Sequence, residues 1–172
     1  MTAAQQVSPT TIDLRTGIAG PLRALCFGTL GALTARQVDN DPVVLLGGAV
    51  AGVLFQWIGL SLLALILWAA NPGARHQYGS RGVGTAITRG FLLLFPFTAL
   101  ALAAELALGW NAVQAFASAG IMSSGAATGA ELGKLGGGRL RSMLLPTGWC
   151  FVLTITWMVA GSMAVMLVKS MR

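Results

Sequence analysis

Long apolar segments alternate with short polar segments along the whole chain. Five segments contain at most one charged residue each: residues 16–35, 42–70, 90–108, 112–130 and 143–168. A helix of about 20 apolar residues crosses the hydrocarbon core of a bilayer. The pattern therefore predicts an all-α fold, a polytopic bundle of five transmembrane helices within residues 16–172, preceded by a polar N-terminal tail at residues 1–15.

The first apolar segment is the weakest candidate for a span, because Arg23 lies inside it. Only residues 24–35 are free of charge, which is about 18 Å of helix at a rise of about 1.5 Å per residue. A full crossing requires the Arg23 side chain to extend toward the lipid headgroups or to find a partner, for which Glu131 is a candidate. A bundle of four spans is therefore the alternative.

Local signals predict where helices begin, end or become irregular. Asp41 is positioned to cap the helix that Pro42 begins, and residues 71–73, Asn-Pro-Gly, end that helix. Residues 82–90 are predicted to lie as a short helix at the membrane interface before the third span. Pro96, in the second turn of the third span, is expected to disturb the helix because it cannot donate a backbone hydrogen bond.

Basic residues are distributed unequally between the polar segments. When the segments 71–89 and 131–142 face the cytoplasm, the N-terminus is cytoplasmic and the C-terminus lies outside. Eight of the 11 Lys and Arg residues then fall on the inner side: Arg15, Arg23, Arg75, Arg81, Arg89, Lys134, Arg139 and Arg141. Because cytoplasmic segments carry the excess of Lys and Arg, this orientation is predicted, in a plasma (inner) membrane.

Composition agrees with a protein that has a lipid bilayer as its main partner. Hydrophobic residues make up 55% of the 172 residues and charged residues 9%. The net charge of +6 comes from short basic segments between apolar runs and not from a polar surface, so no nucleic-acid partner is predicted. Cys26 and Cys150 lie inside apolar segments and are interpreted as buried, inert thiols.

No pattern in the sequence predicts catalysis or a cofactor. The chain has a single histidine, His76, and no cluster of Cys, His and carboxylates with the spacing of metal ligands. The segment around Gly133 and Lys134 is not a phosphate-binding loop, because Thr128 and Leu135 occupy positions that require Gly and Ser or Thr. The sequence therefore predicts a protein that is not an enzyme, with no catalytic residue, cofactor or metal site.

Small residues dominate one face of the fourth predicted span. Gly125, Gly129 and Gly133 recur every fourth residue and are called the glycine ladder here. A smooth glycine face permits close helix packing in lipid. Two interpretations are open: a helix that lines a narrow permeation path, or an ordinary tight contact within one chain.

Four other polar residues are candidates because they lie in or beside predicted spans. Gln56 is near the centre of the second span, where it requires a partner such as Ser123, Ser124, Thr154 or Thr156, or a place in a substrate path. Glu105 is interpreted either as a coupling carboxylate or as an interfacial side chain paired with Arg36. Glu131 and Lys134, one turn apart, are predicted to form an interfacial pair.

Two functions follow from mid-depth polar and small residues without a catalytic set. The first is a small transport or channel-type protein that acts as an oligomer, with Gln56 and the glycine ladder on its path. The second is a non-catalytic membrane subunit that packs against other helices in a larger complex. The predicted partners are accordingly a second copy of the chain or other membrane subunits.

Overall fold

Helices make up almost all of the described chain. The computed structural model describes residues 14–70, 79–109, 112–134 and 139–170, and no strand occurs among them, which confirms the predicted all-α class. The predicted N-terminal tail lies outside the described residues up to position 13. The helices are α1 (Leu14–Arg36), α2 (Pro42–Ala70), α3 (Gly79–Gly90), α4 (Leu94–Leu108), α5 (Val113–Lys134) and α6 (Arg139–Ser170), with a 3-10 turn at Phe91–Leu93.

Four stretches in the described chain are long and apolar enough to cross a membrane. They are Ile18–Arg36, Pro42–Ala70, Gly82–Leu108 and Leu144–Met163. Helix α5, which covers the fourth predicted span, is not among them. Four helices of this length and composition are typical of an integral membrane protein, and a fifth span remains a prediction.

Helices α1 and α2 form a tight antiparallel hairpin. The cap of α2 is as the sequence predicts, with the backbone N–H of Val43 donating to Asp41 Oδ1 over 2.8 Å. A Cβ atom on Gly52 would lie 2.9 Å from the carbonyl carbon of Phe27, and one on Gly28 would lie 3.4 Å from Val53. The two backbones approach this closely only because glycine has no side chain.

Residues 82–90, for which the sequence predicts a short interfacial helix, are helical as part of α3 (Gly79–Gly90), and the stretch of membrane length and composition begins at Gly82. The position of this helix at the membrane interface stays a prediction. Val83, Ala86 and Ile87 are buried on the stripe that continues through Phe91 into α4. This shared apolar stripe keeps α3 in line with α4.

A 3-10 turn joins α3 to α4. It covers Phe91–Leu93 and immediately precedes the turn of α4 that contains Pro96. A proline at this position cannot donate to the carbonyl of Leu92, and its ring crowds that carbonyl. The expected disturbance by Pro96 therefore takes the form of a local 3-10 tightening.

Helix α5 packs against α3, α4 and α6, and its exposed alanines, Ala115, Ala119, Ala126 and Ala130, lie on one stripe. A Cβ atom on Gly120 would meet Leu94 at 2.7 Å, and one on Gly125 would meet Cys150 at 2.7 Å. Ser124 and Thr128 are completely buried, and their hydroxyls donate to the carbonyls of Gly120 and Ser124 over 2.7 and 2.8 Å. These two hydroxyls are therefore satisfied within the helix itself, whereas Gln114 Oε1 and Ser118 Oγ of α5 are buried without a partner among the described residues.

An aromatic cluster joins the hairpin to the remaining helices. Phe27 of α1 lies 6.3 Å, between ring centroids, from both Phe91 and Trp157. Phe55 of α2 lies 5.2 Å from Trp157 in an edge-to-face arrangement. Trp149 of α6 donates its indole N–H to the carbonyl of Gly59 over 3.0 Å, which ties α6 to α2. The contacts of Phe55 with Trp157 and of Trp149 with Gly59 join α2 to α6.

Candidate functional site

Two candidates from the sequence, Arg23 and Gln56, share one cavity. It has a volume of about 250 Å³ and lies between α1, α2 and α3. Thr88 and Ser61 complete its polar wall, and Gly84 leaves one side of it open because a Cβ atom there would meet nothing within 4 Å. These residues are referred to below as the Arg23–Gln56 cavity.

Gln56 enters this cavity from the centre of α2. The residue is only 6% exposed, and its Oε1 atom is buried without a hydrogen-bond partner in the described part of the chain. Three hydroxyls proposed from the sequence as its partners donate within their own helices: Ser124 to Gly120, Thr154 to Cys150 and Thr156 to Val152. Because a buried acceptor without a hydrogen bond is costly, a donor group that enters the cavity and reaches this oxygen would bind favourably.

Arg23 has a different partner from the one proposed from the sequence. Its Nη1 atom donates to Thr88 Oγ1 over 3.1 Å, and its Nε atom is buried without a partner among the described residues. Glu131 instead lies 3.7 Å from Arg89 and accepts a hydrogen bond from Lys134. Adjacent residues of α3 therefore serve different neighbours, with Thr88 turned to α1 and Arg89 turned to α5.

The ionic cluster of Arg89, Glu131 and Lys134 forms a second polar site. The predicted pair of Glu131 and Lys134 is present, and a cavity of about 240 Å³ lies beside it. The hydrogen bond from Lys134, with the charges of Lys134 and Arg89, holds the pKa of the Glu131 carboxyl below its usual range. Arg89 and Lys134 together leave this end of the bundle with an excess of positive charge.

Glu105 is partly buried near the end of α4. Its Oε2 atom is buried without a hydrogen-bond partner among the residues that the structure describes. Arg36, the partner proposed from the sequence, donates its Nε–H to Asn40 Oδ1 over 3.3 Å. Glu105 does not line the Arg23–Gln56 cavity.

Gly125 of the glycine ladder lies against α6, where it faces Cys150 and Pro146. Gly129 is buried, and Gly133 is partly exposed. None of the three glycines lines either polar cavity. The contact of Gly125 is one of helix packing.

A third cavity is apolar and lies between α1, α2 and α6. Its volume is about 180 Å³, and its wall includes Ala51, Phe55, Trp157 and Gly161. It has the shape of a groove at the surface of the bundle, and the name apolar groove is kept for it below.

Thr88 and Gly84 belong to the candidate site, but the sequence reasoning did not select them. Both lie in residues 82–90, where the sequence predicts an interfacial helix outside the bundle of spans. The signal that identifies them is their spacing of four residues, which places a hydroxyl and a gap on one helix face. Only the position of α1 shows that Arg23 occupies the space in front of that face.

Comparison with known proteins adds no further assignment. No family model, curated protein or solved structure matches the chain. Within the described ranges, no group of three or more His, Cys, Asp or Glu residues is arranged to hold a metal ion. The chemistry offered by the Arg23–Gln56 cavity is positive charge, hydroxyl groups and one amide acceptor, which suits binding of a polar ligand.

Proposed function

We propose that this chain is a small transport-type membrane protein and that the Arg23–Gln56 cavity holds its ligand. The observation that carries the proposal is the buried, unpartnered Oε1 of Gln56 beside a guanidinium group, in a cavity at the middle of a membrane-length helix. An amide group that stays unsatisfied in hydrocarbon costs several kcal/mol, on the order of 2–7. A polar ligand, or water that precedes it, offsets that cost.

The contacts between helices support a transport movement. The most extensive helix contacts are those of α1 with α2 and of α5 with α6, whereas α2 meets α6 through far fewer residues. The Arg23–Gln56 cavity lies where the α1–α2 hairpin meets α3. In the proposed movement, the hairpin rocks against the other helices and opens the cavity to the two sides in turn.

The proposal includes five spans, with the N-terminus in the cytoplasm of a cell with a plasma (inner) membrane. The antiparallel packing of α5 supports the fifth span, since Thr128 lies beside Gly90 and Gly120 lies beside Leu94. Only a narrow stripe of α5, with Ala115, Ala119, Ala126 and Ala130, is exposed, so this helix needs less hydropathy than one that faces lipid over a wide surface. The positive charge of Arg89 and Lys134 supports the cytoplasmic assignment of that end.

The test fills the cavity without changing its polar groups. Gly84→Leu places a side chain in the open space that Gly84 leaves, and Gly47→Leu is the matched control, because Gly47 also has nothing within 4 Å but lies on the exposed surface of α2. Proteoliposomes containing each protein are assayed with a panel of labelled inorganic phosphate, amino acids, sugars and short-chain fluorescent lipids. We expect wild type and Gly47→Leu to move one of these compounds and Gly84→Leu to lose that activity.

Two results of this assay would contradict the proposal. In the first, the wild-type protein moves no compound of the panel above the rate of empty vesicles. In the second, Gly84→Leu moves the compound at the wild-type rate although it is folded, as judged by its elution as a single species and its helical circular dichroism.

The apolar groove supports a second candidate function, a non-catalytic subunit of a larger membrane complex. Its wall of small and aromatic side chains suits a helix from another chain, and a second copy there would give the oligomer proposed for the transport-type protein. Extraction of the protein in a mild detergent distinguishes these two candidate functions. Co-purification of unrelated subunits in fixed proportion favours the complex, and a homogeneous assembly of this chain alone favours the transport-type oligomer.

A further inference from the structure

We infer that the Arg23–Gln56 cavity binds a phosphate group that has a hydrogen-bond donor beside it, as in an anionic lipid headgroup or in free hydrogen phosphate. The inference rests on the proposed function of this cavity as a ligand site and names the chemical class of the ligand. It is carried by three features: the charge of Arg23, the unsatisfied acceptor of Gln56, and the position of the cavity beside the lipid.

Arg23 requires an anion. The guanidinium lies five residues into a membrane-length stretch that begins at Ile18, which is about 8 Å along the helix at about 1.5 Å per residue. Within the described chain it is bonded only to the neutral hydroxyl of Thr88, and its Nε–H is unused. A cation at this depth is costly without a counter-charge, and a guanidinium binds the oxygens of a phosphate through two parallel hydrogen bonds.

Gln56 and Thr88 define what else the ligand must carry. The Oε1 atom of Gln56 is an acceptor without a partner among the described residues, so a donor of the ligand that reaches it would satisfy it. Thr88 accepts from Arg23 and keeps its own O–H to donate to a phosphate oxygen. The ligand therefore combines negatively charged oxygens with a hydroxyl or ammonium group, which a phosphatidylglycerol headgroup and hydrogen phosphate have and a phosphocholine headgroup lacks.

The surroundings of the cavity favour the lipid as the source of the phosphate. Trp57, which lines the cavity, is 72% exposed, and Leu54 and Val50 are exposed on the part of α2 that runs from the cavity toward the middle of the bilayer. Acyl chains can lie on this surface while the headgroup reaches Arg23. The ionic cluster at the end of α3 leaves an excess of positive charge that attracts anionic headgroups to this side of the bundle.

The binding experiment uses the full-length protein reconstituted in phosphatidylcholine vesicles with and without phosphatidylglycerol. After extraction in a mild detergent, native mass spectrometry counts the lipids that remain bound. Inorganic phosphate is titrated separately by calorimetry into protein in pure phosphatidylcholine. Retention of one phosphatidylglycerol identifies the lipid source, saturable binding of inorganic phosphate identifies the soluble source, and the absence of both overturns the inference.

Variants of Arg23 and of Gln56 distinguish the contribution of the guanidinium charge to binding from that of the amide acceptor. Arg23→Gln should lower the affinity by about tenfold or more, the usual contribution of a charge-assisted hydrogen bond, and Arg23→Lys should restore part of it. Gln56→Leu should weaken the retention of phosphatidylglycerol but should leave the part of the preference over phosphatidylcholine that comes from its negative charge. Gln114→Leu is the matched control, because Gln114 also carries a buried, unpartnered amide oxygen but does not line this cavity. Equal binding by Gln114→Leu and Arg23→Gln would contradict the assignment.

The binding and transport experiments fail independently. If phosphate is bound but no compound is moved across the vesicle membrane, the inference stands and the transport function is wrong. If another compound is moved and that movement is lost in Gly84→Leu, but no phosphate is bound, the transport function stands and the inference is wrong.

Discussion

Gly31 of α1 and Gly48 of α2 meet so closely that a Cβ atom on Gly48 would lie 2.5 Å from the carbonyl oxygen of Gly31. This contact lies in the α1–α2 hairpin and brings one backbone onto the other. The contact fixes the position of α1 along α2. Arg23, on the same helix α1, lies in front of α3 and donates to Thr88. Substitution of Gly48 by a residue with a Cβ atom measures how much the stability of the protein depends on this contact.

Gly48→Ala should destabilise the protein, whereas the same change at the neighbouring position should not. Overpacking of this kind costs about 1–3 kcal/mol, because a backbone atom cannot move aside as a flexible side chain can. Gly47 has nothing within 4 Å of a Cβ position, so Gly47→Ala should be neutral or should stabilise by up to about 1 kcal/mol through helix propensity. Thermal unfolding in detergent, followed by circular dichroism, measures both. Equal melting temperatures would show that the hairpin contact is looser than described.

Gly90→Ala should destabilise the contact between α3 and α5, and Thr128→Ala should not rescue it. A Cβ atom on Gly90 would lie 2.6 Å from the backbone nitrogen and 2.8 Å from the Cα of Thr128, and these atoms remain when the side chain is shortened. Gly84→Ala, on the same helix but facing open space, is the control. The free energies of unfolding of the single and double variants test the prediction. Recovery of stability in the double variant would show that the hydroxyl alone causes the conflict.

Trp149→Phe should weaken the link between α6 and α2. The change removes the indole N–H that donates to the carbonyl of Gly59, and a typical protein hydrogen bond contributes about 0.5–1.5 kcal/mol. Trp57→Phe, at an exposed position on α2, should leave the stability within about 0.5 kcal/mol of wild type. Chemical unfolding in mixed detergent micelles compares the two. A larger loss for Trp57→Phe would contradict the assignment of this hydrogen bond.

Stability should fall as the pH is lowered through the titration of Glu131. Lys134 and Arg89 lower the pKa of this carboxyl in the folded protein, so the ionised form stabilises the fold above the unfolded-state pKa of about 4.3. That contribution is lost as the pH falls below this value and through the lowered folded-state pKa. Melting temperatures between about pH 7 and pH 3 should decrease less for Glu131→Gln than for wild type. Parallel curves would exclude a contribution from Glu131.

The number of spans can be read from thiol labelling in intact cells. Cys26 and Cys150 are buried, so thiols introduced at exposed Asn40 and Lys134 can be followed beside them. When α5 crosses the membrane, Asn40→Cys reacts with a membrane-impermeant maleimide from outside and Lys134→Cys reacts only after permeabilisation. When α5 does not cross, the two positions lie on the same side and react alike. That second result would leave four spans without α5, which differs from the four-span alternative drawn from the sequence, in which residues 16–35 do not cross.

The elements that depend on neighbouring residues along the chain could be predicted from the sequence. The bounds of α2 follow from an uncharged apolar run between the Asp41 cap and an Asn-Pro-Gly stop, and the structure has the helix at Pro42–Ala70. The pair of Glu131 and Lys134 is present because residues three apart in a helix share a face. In both cases the interacting atoms belong to one helix, whose geometry is known in advance.

The composition of the candidate site could be predicted only in part. Gln56 and Arg23 were selected because each is costly in hydrocarbon, but their proposed partners on α5 and α6 were different from the groups that they face. The bond between Arg23 and Thr88 joins residues 65 positions apart, and no local pattern encodes such a pairing. The relation depends on how α1 is rotated against α3, which the aromatic cluster and the hairpin glycines determine together.

The sequence by itself determined that the chain is a helical membrane protein, because hydropathy and length act on each helix separately. The tertiary structure decided that α5 packs between α4 and α6 and that Arg23 and Gln56 line one cavity. These outcomes depend on which helix faces touch. A face with several small or apolar residues is compatible with more than one neighbour, and only the simultaneous packing of all the helices selects among them.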